Sequence, residues 1–368
     1  MDHRPVEPTL TDFLYGRASK ERIPLSGTFE LTPLCNMDCK MCYIRVSRDQ
    51  QEAMGPLRGA ADWIALGKSC AEAGLLYLLI TGGEPLTHPE FPQILRGLSS
   101  LGLMLSINTN GTLLTPETVS LLRECGVTRA NVSLYGMNGE TYENLCGNGK
   151  CFEQVLKGID LLLSAGIGVK LSFSVTPQNK DQLPSVVDFA RKQELPLQVA
   201  SYLFPPLRRD GDACGKGNRL SPEEAAYYAA YSDLLLLGKD RFLNFDAESF
   251  APPADDGCFT PDSVRCRAGK CSFWVTWQGI LTPCGMFPAE GENLFEVPFL
   301  PAWNRLVERV DAIRLPAKCA ACSIRSVCRA CAATVLTESG DFSKVPAYRC
   351  EMMQAYPKAW NQIKEKFL

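Results

Sequence analysis

Between about residues 25 and 203 short apolar runs alternate with helical periods, and few architectures accept such a chain. The runs are Thr28–Leu31, Leu75–Thr81, Leu103–Asn108, Ala130–Leu134, Val169–Val175 and Leu197–Leu203. Each is short and bounded by Gly, Pro or Asn, which predicts strands. Between them Phe152, Val155, Leu156, Ile159, Leu162 and Leu163 recur at helical spacing, as do Ala60, Trp63, Ile64, Gly67 and Ala71. Alternating strands and helices build a parallel sheet with right-handed crossovers. Six such units predict an α/β fold, a partial (β/α)6 TIM-like barrel over residues 27–220, behind an N-terminal arm of residues 1–26. Its working edge is expected at the carboxyl ends of the strands, where the loops gather.

The alternation stops near residue 204, at FPPLRRDGDACGKGN. A helix is predicted over about 221–238, opened by Ser221-Pro222-Glu223-Glu224, and the turn-rich linker APPADDG completes a bridge over 221–257. From 258 to 368 cysteines become dense, and helix is expected to be sparse until the last turns. Such a cysteine-rich domain is expected to draw stability from metal clusters.

Seventeen cysteines stand in a chain whose first residues, MDHRPVEPTLTDF, carry no export signal. That combination favours a cytoplasmic protein with metal-bound thiolates over one with disulfides, and soft thiolates select iron–sulfur or zinc. The net charge of -3 without like-charge blocks argues against nucleic acid and anionic membrane surfaces. The longest apolar runs, such as Leu75 to Ile80, are too short to span a bilayer. His3 and His88 are the only histidines, which disfavours histidine metal sites and Ser-His or Cys-His catalysis. His88 is expected in a loop, without a chemical role.

Cys35, Cys39 and Cys42 form C-x3-C-x2-C directly after the first strand. Zinc wants four ligands, and no neighbour completes the set. Three thiolates on a four-iron cluster leave one iron open to a small molecule. One strand later, Thr81-Gly82-Gly83-Glu84-Pro85 offers glycines that let backbone approach a ligand, and a carboxylate for an ammonium group.

Together these segments resemble the radical S-adenosylmethionine (radical SAM) superfamily. The resemblance implies that Cys35, Cys39 and Cys42 hold a [4Fe–4S] cluster whose open iron chelates SAM. Gly82, Gly83, Glu84 and Pro85 match the motif that receives the SAM amino group. Asn108-Thr109-Asn110-Gly111-Thr112 is similar to the third-strand TNGT segment, and Asn131-Val132-Ser133-Leu134-Tyr135-Gly136 to the fourth-strand SLxG segment. Asn108, Asn110 and Ser133 are thereby candidate SAM contacts, with Arg208 or Arg209 for a carboxylate. The residue before the third cysteine, often aromatic in the family, is Met41, followed after Cys42 by Tyr43, a candidate adenine contact. The implied chemistry is reductive cleavage of SAM to a 5′-deoxyadenosyl radical that removes hydrogen from an unactivated C–H bond.

The later cysteines resemble the SPASM extension of peptide-modifying radical SAM enzymes, which binds two auxiliary [4Fe–4S] clusters. SFWVTWQGILTPC is predicted as a hairpin turning at Gln278-Gly279. Carried over by position, Cys266, Cys271, Cys284 and Cys331 hold the first auxiliary cluster, and Cys319, Cys322, Cys328 and Cys350 the second, so that both are fully coordinated. Cys328 and Cys331 are separated by two residues, where the family usually has three. One or two structural zinc sites are the alternative on spacing alone.

Six cysteines remain. Cys70 and Cys125 fall on helical patterns and are expected to be packing residues. Cys146, Cys151, Cys214 and Cys258 are expected as incidental loop thiols, with a hydrogen donor for an epimerase as the alternative. The reaction expected on this resemblance is maturation of a ribosomally made peptide through a thioether or other crosslink. A formylglycine-generating sulfatase maturase is an alternative, but its relatives carry Asp after the cysteine matching Cys284, and here stands Gly285. An iron–sulfur sensor without turnover is another. Expected partners are a peptide or protein substrate and an electron donor such as flavodoxin or ferredoxin. About 26 residues precede the first strand, so leader recognition is assigned to a separate leader-binding protein or another surface.

Overall fold

A computed structural model describes residues 9–205, 218–243, 262–288, 290–328 and 330–368. Eight strands are seen among them: β1 (Ser26–Glu30), β2 (Tyr77–Thr81), β3 (Met104–Thr109), β4 (Arg129–Ser133), β5 (Gly168–Ser174), β6 (Leu197–Ala200), β7 (Ser272–Val275) and β8 (Leu281–Thr282). They form one sheet in the order β6-β5-β4-β3-β2-β1-β7-β8. From β1 to β6 every neighbour is parallel, which is the partial TIM-like barrel expected of the alternation. Register pairs Glu30 with Thr81, Thr109 with Val132, Ser133 with Ser172 and Ser174 with Ala200. The carboxyl ends of the strands therefore share one edge, and the loops that follow them meet there.

Local chemistry fixes the helices between the strands. Thr115 caps Pro116–Glu124 by accepting the Thr118 N–H, and Ser221 forms a capping box with Glu224 at the head of Pro222–Leu237. Helix Ala60–Glu72 buries Trp63 against Phe29 of β1, with ring centroids 5.2 Å apart. Burying such a side chain contributes roughly 1.5–3 kcal/mol. The apolar face recurs every three or four residues because only that spacing keeps one stripe on the sheet.

The region beyond residue 262 is richer in helix than expected. Phe299–Ala312, Ala332–Ser339 and Ala347–Phe367 are all helical. In the first of these Phe299, Ala302, Trp303, Leu306 and Val310 make an apolar stripe. Phe273 of β7 packs against Phe299 and Trp303, and the Trp303 indole N–H donates to the Arg22 carbonyl at 2.7 Å. The last helix lies along Pro222–Leu237, where Tyr356 donates to Asp233 at 2.6 Å. Trp360 stacks on Phe242 and Phe367 on Tyr231. Buried residues of the barrel and of this region form one hydrophobic cluster. The expectation of sparse helix is corrected accordingly, and apolar packing against the barrel contributes to this region's stability. The predicted hairpin is present, with β7 antiparallel to β8 and Gly279 at φ 90° between them. What the pattern did not disclose is that β7 also pairs in parallel with β1, extending the barrel sheet. No helix among the described residues is long and apolar enough to cross a membrane.

Candidate active site

The loop after β1 and the loop after β2 are built on one another. Gly83 N–H donates to the Thr32 carbonyl at 2.7 Å, and Glu84 N–H to the Leu34 carbonyl at 2.9 Å. A Cβ on Gly82 would stand 2.7 Å from the Thr32 carbonyl oxygen, and one on Gly83 2.5 Å from that of Leu34. Both glycines thus have a reason internal to the chain: the cysteine-bearing loop lies directly on them.

Cys35, Cys39 and Cys42 line a cavity of about 390 Å³ at this edge. Tyr43, Gly82, Gly83, Asn108, Asn110 and Ser133 line it too. Met41, Tyr135, Tyr202 and Met286 add apolar wall. Arg208 and Arg209, and with them Cys214, Cys258 and His3, lie outside the described residues.

The thiols are provided with donors. Met37 N–H reaches Cys35 Sγ at 3.4 Å, Arg45 N–H reaches Cys42 Sγ at 3.3 Å, and Asn110 Nδ2 lies 3.6 Å from Cys35 Sγ. Burial pushes the Cys35 thiol up to about 12, opposed by the Met37 N–H and reinforced by Glu84, Cys39 and Cys42. Cys39 is raised chiefly by its hydrogen bond with Cys146 and then by burial. Thiols so placed are neutral without metal, and coordination removes their protons. No three such side chains among the described residues meet around a single ion. A four-iron cluster binds each thiolate at a different corner and does not require that. Three thiols on one loop, two with backbone donors, opening into a cavity fit for a small molecule, suit a cluster with one free iron.

Glu84 is placed differently from the other candidates. Its carboxylate is fully buried, accepts from Thr109 Oγ1 at 2.9 and 3.0 Å and from Asn110 N–H at 2.7 Å, and is reached by Leu86 N–H at 3.3 Å. Burial pushes it up to about 7 against those hydrogen bonds. Pro85 opens the short 3-10 turn beneath it. Neither lines the cavity; Glu84 instead pins the end of β3, and with it Asn110. Asn110 Nδ2 donates to Asn36 Oδ1 at 2.9 Å, Asn36 Nδ2 to Thr112 Oγ1 at 2.8 Å, and Thr112 Oγ1 to Asn110 Oδ1 at 2.6 Å, closing a ring of three side chains beside Cys35. On β3 and β4, Asn131 Nδ2 donates to Asn108 Oδ1 at 2.8 Å.

Other residues in the wall went unnoticed as contacts in the sequence. Asn131 and Thr109 sit inside segments already marked by the third- and fourth-strand motifs. Tyr202 follows β6 and donates to Glu338 Oε1 at 2.9 Å; Glu338 pairs with Arg219 at 2.7 Å. Nothing local in the sequence marks that pair, because its members are 119 residues apart.

His88 is buried in the loop after β2, where it accepts from Glu90 N–H at 3.1 Å and meets the Arg58 carbonyl at 3.0 Å. Cys70 is fully buried in its helix, and Cys125 is buried at a helix end. Cys146 and Cys151 are not loop thiols. Cys146 ends the helix Gly139–Cys146, Cys151 begins Cys151–Ser164, and both are 1% exposed. Gly147, at φ 73°, breaks the chain between them, so the sequence there reads as a loop while both cysteines pack inward.

The later cysteines fall into two groups. Cys319 feels Cys328, Cys350 and Cys322 electrostatically, which brings four thiols into one neighbourhood. Cys284 is pushed up to about 12 by burial and by Cys266 and Cys331. Cys271 is not brought to that second group. It is fully buried in a separate apolar cluster with Ala18 and Leu25, and its Sγ lies 3.0 Å from Ser19 Oγ.

Residues 29–190 match the family model of the radical SAM superfamily. The chain is 29% identical to an AdoMet-dependent heme synthase of Methanosarcina barkeri, over 87% of this chain and 94% of that one. It is 31% identical to a probable GTP 3',8-cyclase of Methanococcus maripaludis, over 77% of this chain and 89% of that one. Its fold is similar to that of Streptococcus suis SuiB bound to precursor peptide SuiA, with a TM-score of 0.66 and 18% identity over 92% of this chain and 81% of that one. The cysteine loop and the GGEP turn lie within the matched residues, and the chain belongs to the radical SAM superfamily.

Proposed function

We propose that this enzyme modifies a peptide by removing hydrogen from a carbon of one residue, most simply to close a thioether. When bound, the cluster and SAM supply the 5′-deoxyadenosyl radical that takes that hydrogen. The chain's own part is to hold and to screen. Cys35, Cys39 and Cys42 would ligate the cluster, and Gly82, Gly83, Asn108, Asn110 and Ser133 would contact SAM. Glu84 would act by fixing Asn110. Met41, Tyr135, Tyr202 and Met286 exclude water from the cavity.

The observation that carries the reading is that Cys284 and Met286 stand two residues apart, one in the auxiliary thiol group and the other in the cavity wall. A cluster bound at those thiols would supply an electron acceptor close to the cavity. Thioether closure needs one: the C–H bond loses a hydrogen atom, the substrate thiol loses a proton, the C–S bond forms, and one electron must leave. A flavodoxin or ferredoxin is the proposed source of the first electron, and a separate protein the proposed holder of any leader. Solved SuiB with its precursor peptide supports a peptide substrate as a choice for this architecture. A second reading, a tetrapyrrole substrate, is favoured by the likeness to heme synthase across 94% of that protein.

Reduced enzyme with SAM and peptides encoded beside the gene is the test, read by mass spectrometry. Loss of two hydrogens per link is expected; an unchanged peptide together with turnover of a porphyrin carries the second reading instead. Replacing Cys35, Cys39 and Cys42 by Ala is expected to abolish SAM cleavage, and retained cleavage refutes the assignment of the cavity.

A further inference from the structure

Asn110 stands where β3 ends, beside Cys35, and every hydrogen bond its amide can make is made within the chain. A side-chain amide has two lone pairs on oxygen and two N–H donors on nitrogen. Oδ1 accepts from the Thr112 backbone N–H at 2.9 Å and from Thr112 Oγ1 at 2.6 Å. Nδ2 donates to Asn36 Oδ1 at 2.9 Å and lies 3.6 Å from Cys35 Sγ, within the longer reach of a sulfur acceptor. Chemistry settles which end of the amide faces which way. A backbone N–H only donates, so oxygen must meet it at Thr112, and nitrogen is turned to Cys35. The backbone is held as well. Glu84 accepts the Asn110 N–H at 2.7 Å, and Gly111 follows at φ 77° with its N–H on Thr109 Oγ1 at 3.0 Å. Asn110 and Thr112 are buried, while Asn36 is exposed and closes the ring from the solvent side. Cys35 thus meets two donors, the Met37 N–H from its own loop and the Asn110 amide from the end of β3.

We infer that Asn110 is a positioned donor to the cluster: its amide, oriented by Thr112 and Asn36, hydrogen-bonds the Cys35 thiolate and raises the reduction potential of the SAM-binding cluster. Hydrogen bonds to the sulfurs are one of the levers that set such a potential. Their sign follows from charge. The reduced cluster is the more negative of the two states, and a donor N–H stabilises it more. With both N–H groups committed, Asn110 has no donor left for SAM, and its contact with SAM is one of shape. The inference rests on Cys35, Cys39 and Cys42 as cluster ligands; it is independent of the choice between peptide and porphyrin.

Redox titration of the full chain, assembled with its clusters and without SAM, tests this. The EPR signal to follow is the one that Cys35→Ala/Cys39→Ala/Cys42→Ala protein lacks. In Asn110→Ala that cluster is expected to be harder to reduce by about tenfold in the equilibrium, ~59 mV for one electron. Thr112→Val keeps the backbone N–H on Oδ1 but opens the ring, and is expected to shift the midpoint the same way by less. Thr112→Ser keeps the ring and is expected to restore the unsubstituted value. An unchanged midpoint in Asn110→Ala at full iron content overturns the inference. So does a shift that appears only once SAM is added, since that marks a bond to SAM. A second arm needs no substitution to fail. With asparagine carrying 15N at Nδ2, the reduced, SAM-free cluster is expected to show 15N hyperfine coupling in pulsed EPR that Asn110→Ala lacks; no coupling in the unsubstituted protein, or the same coupling in Asn110→Ala, overturns the inference.

Discussion

Replacing Glu84 by Gln tests how the cavity floor is held. The carboxyl is fully buried and titrates near 7, raised from 4.5 chiefly by burial. Below pH 4.5 it is neutral in both folded and unfolded chains and has no effect on stability's slope. Between 4.5 and about 7 the folded protein keeps the proton and the unfolded chain releases it, so stability falls as pH rises. Above about 7 both are ionised and the loss is complete. Each pH unit of that interval is worth about 1.36 kcal/mol, which makes the full loss about 3 kcal/mol. Glutamine is neutral throughout. Its oxygen still accepts the Asn110 N–H, its amide donates to Thr109 Oγ1, and only the long contact from Leu86 N–H is given up, at a cost of about 1 kcal/mol. Thermal unfolding of both proteins, anaerobic and with clusters in place, is the assay. The two curves should lie close at pH 5, and by pH 8 Glu84→Gln should be ahead by about 2 kcal/mol. At roughly 2 °C per kcal/mol for a chain of this size, that is about 4 °C in Tm. Parallel Tm curves across pH 5 to 8 would refute the reasoning, since they would mean that Glu84 is ionised at little cost.

Gly83→Ala places a Cβ 2.5 Å from the Leu34 carbonyl, so the cysteine loop must move by close to an ångström, at a cost of about 1–3 kcal/mol. Iron content and SAM affinity should fall together, while Gly16→Ala, which meets nothing, should leave both unchanged; equal behaviour of the two variants would refute the packing account. Arg219→Ala strands Glu338, whose side chain is 6% exposed, and should cost about 3–5 kcal/mol, read as a Tm drop of about 6–10 °C that added salt does not restore. A change under about 1 kcal/mol would show that Tyr202 alone satisfies the carboxylate.

The barrel was legible because its elements are local. Each strand of the first six is a short apolar run, and the crossover helices carry their own apolar period, so pattern alone places the strands within two or three residues. The cysteine loop was legible for the same reason, since its ligands lie within eight residues. What the pattern missed is long-range. The helix Phe299–Ala312 has ordinary helical periodicity, but its apolar stripe packs on Phe273 of a distant strand. The parallel pairing of β7 with β1 joins residues 246 apart, and no local signal announces it. Cys271 shows the same limit at a single side chain. Spacing places it five residues from Cys266, yet the face it presents is set by a strand partner that only the fold supplies.

That pairing also bears on which chemistry the cavity can host. From the cysteine loop back to Glu30, across to Trp274, and on to Gly285 there is a continuous path of contacts. A Cβ at Gly285 would meet three atoms of the Trp274 ring at 3.0 Å each. An aspartate after Cys284, the base expected of a sulfatase maturase, therefore needs more than a codon change. Its Cβ would press on an indole that is hydrogen-bonded to a fully buried carboxylate at the root of the cysteine loop, and the ring would have to give by a few tenths of an ångström. Glycine here lets the indole lie close on this loop, and the side chain that lines the cavity two residues after Cys284 is the apolar Met286. A proton acceptor for the reaction must then come from the substrate itself or from another wall.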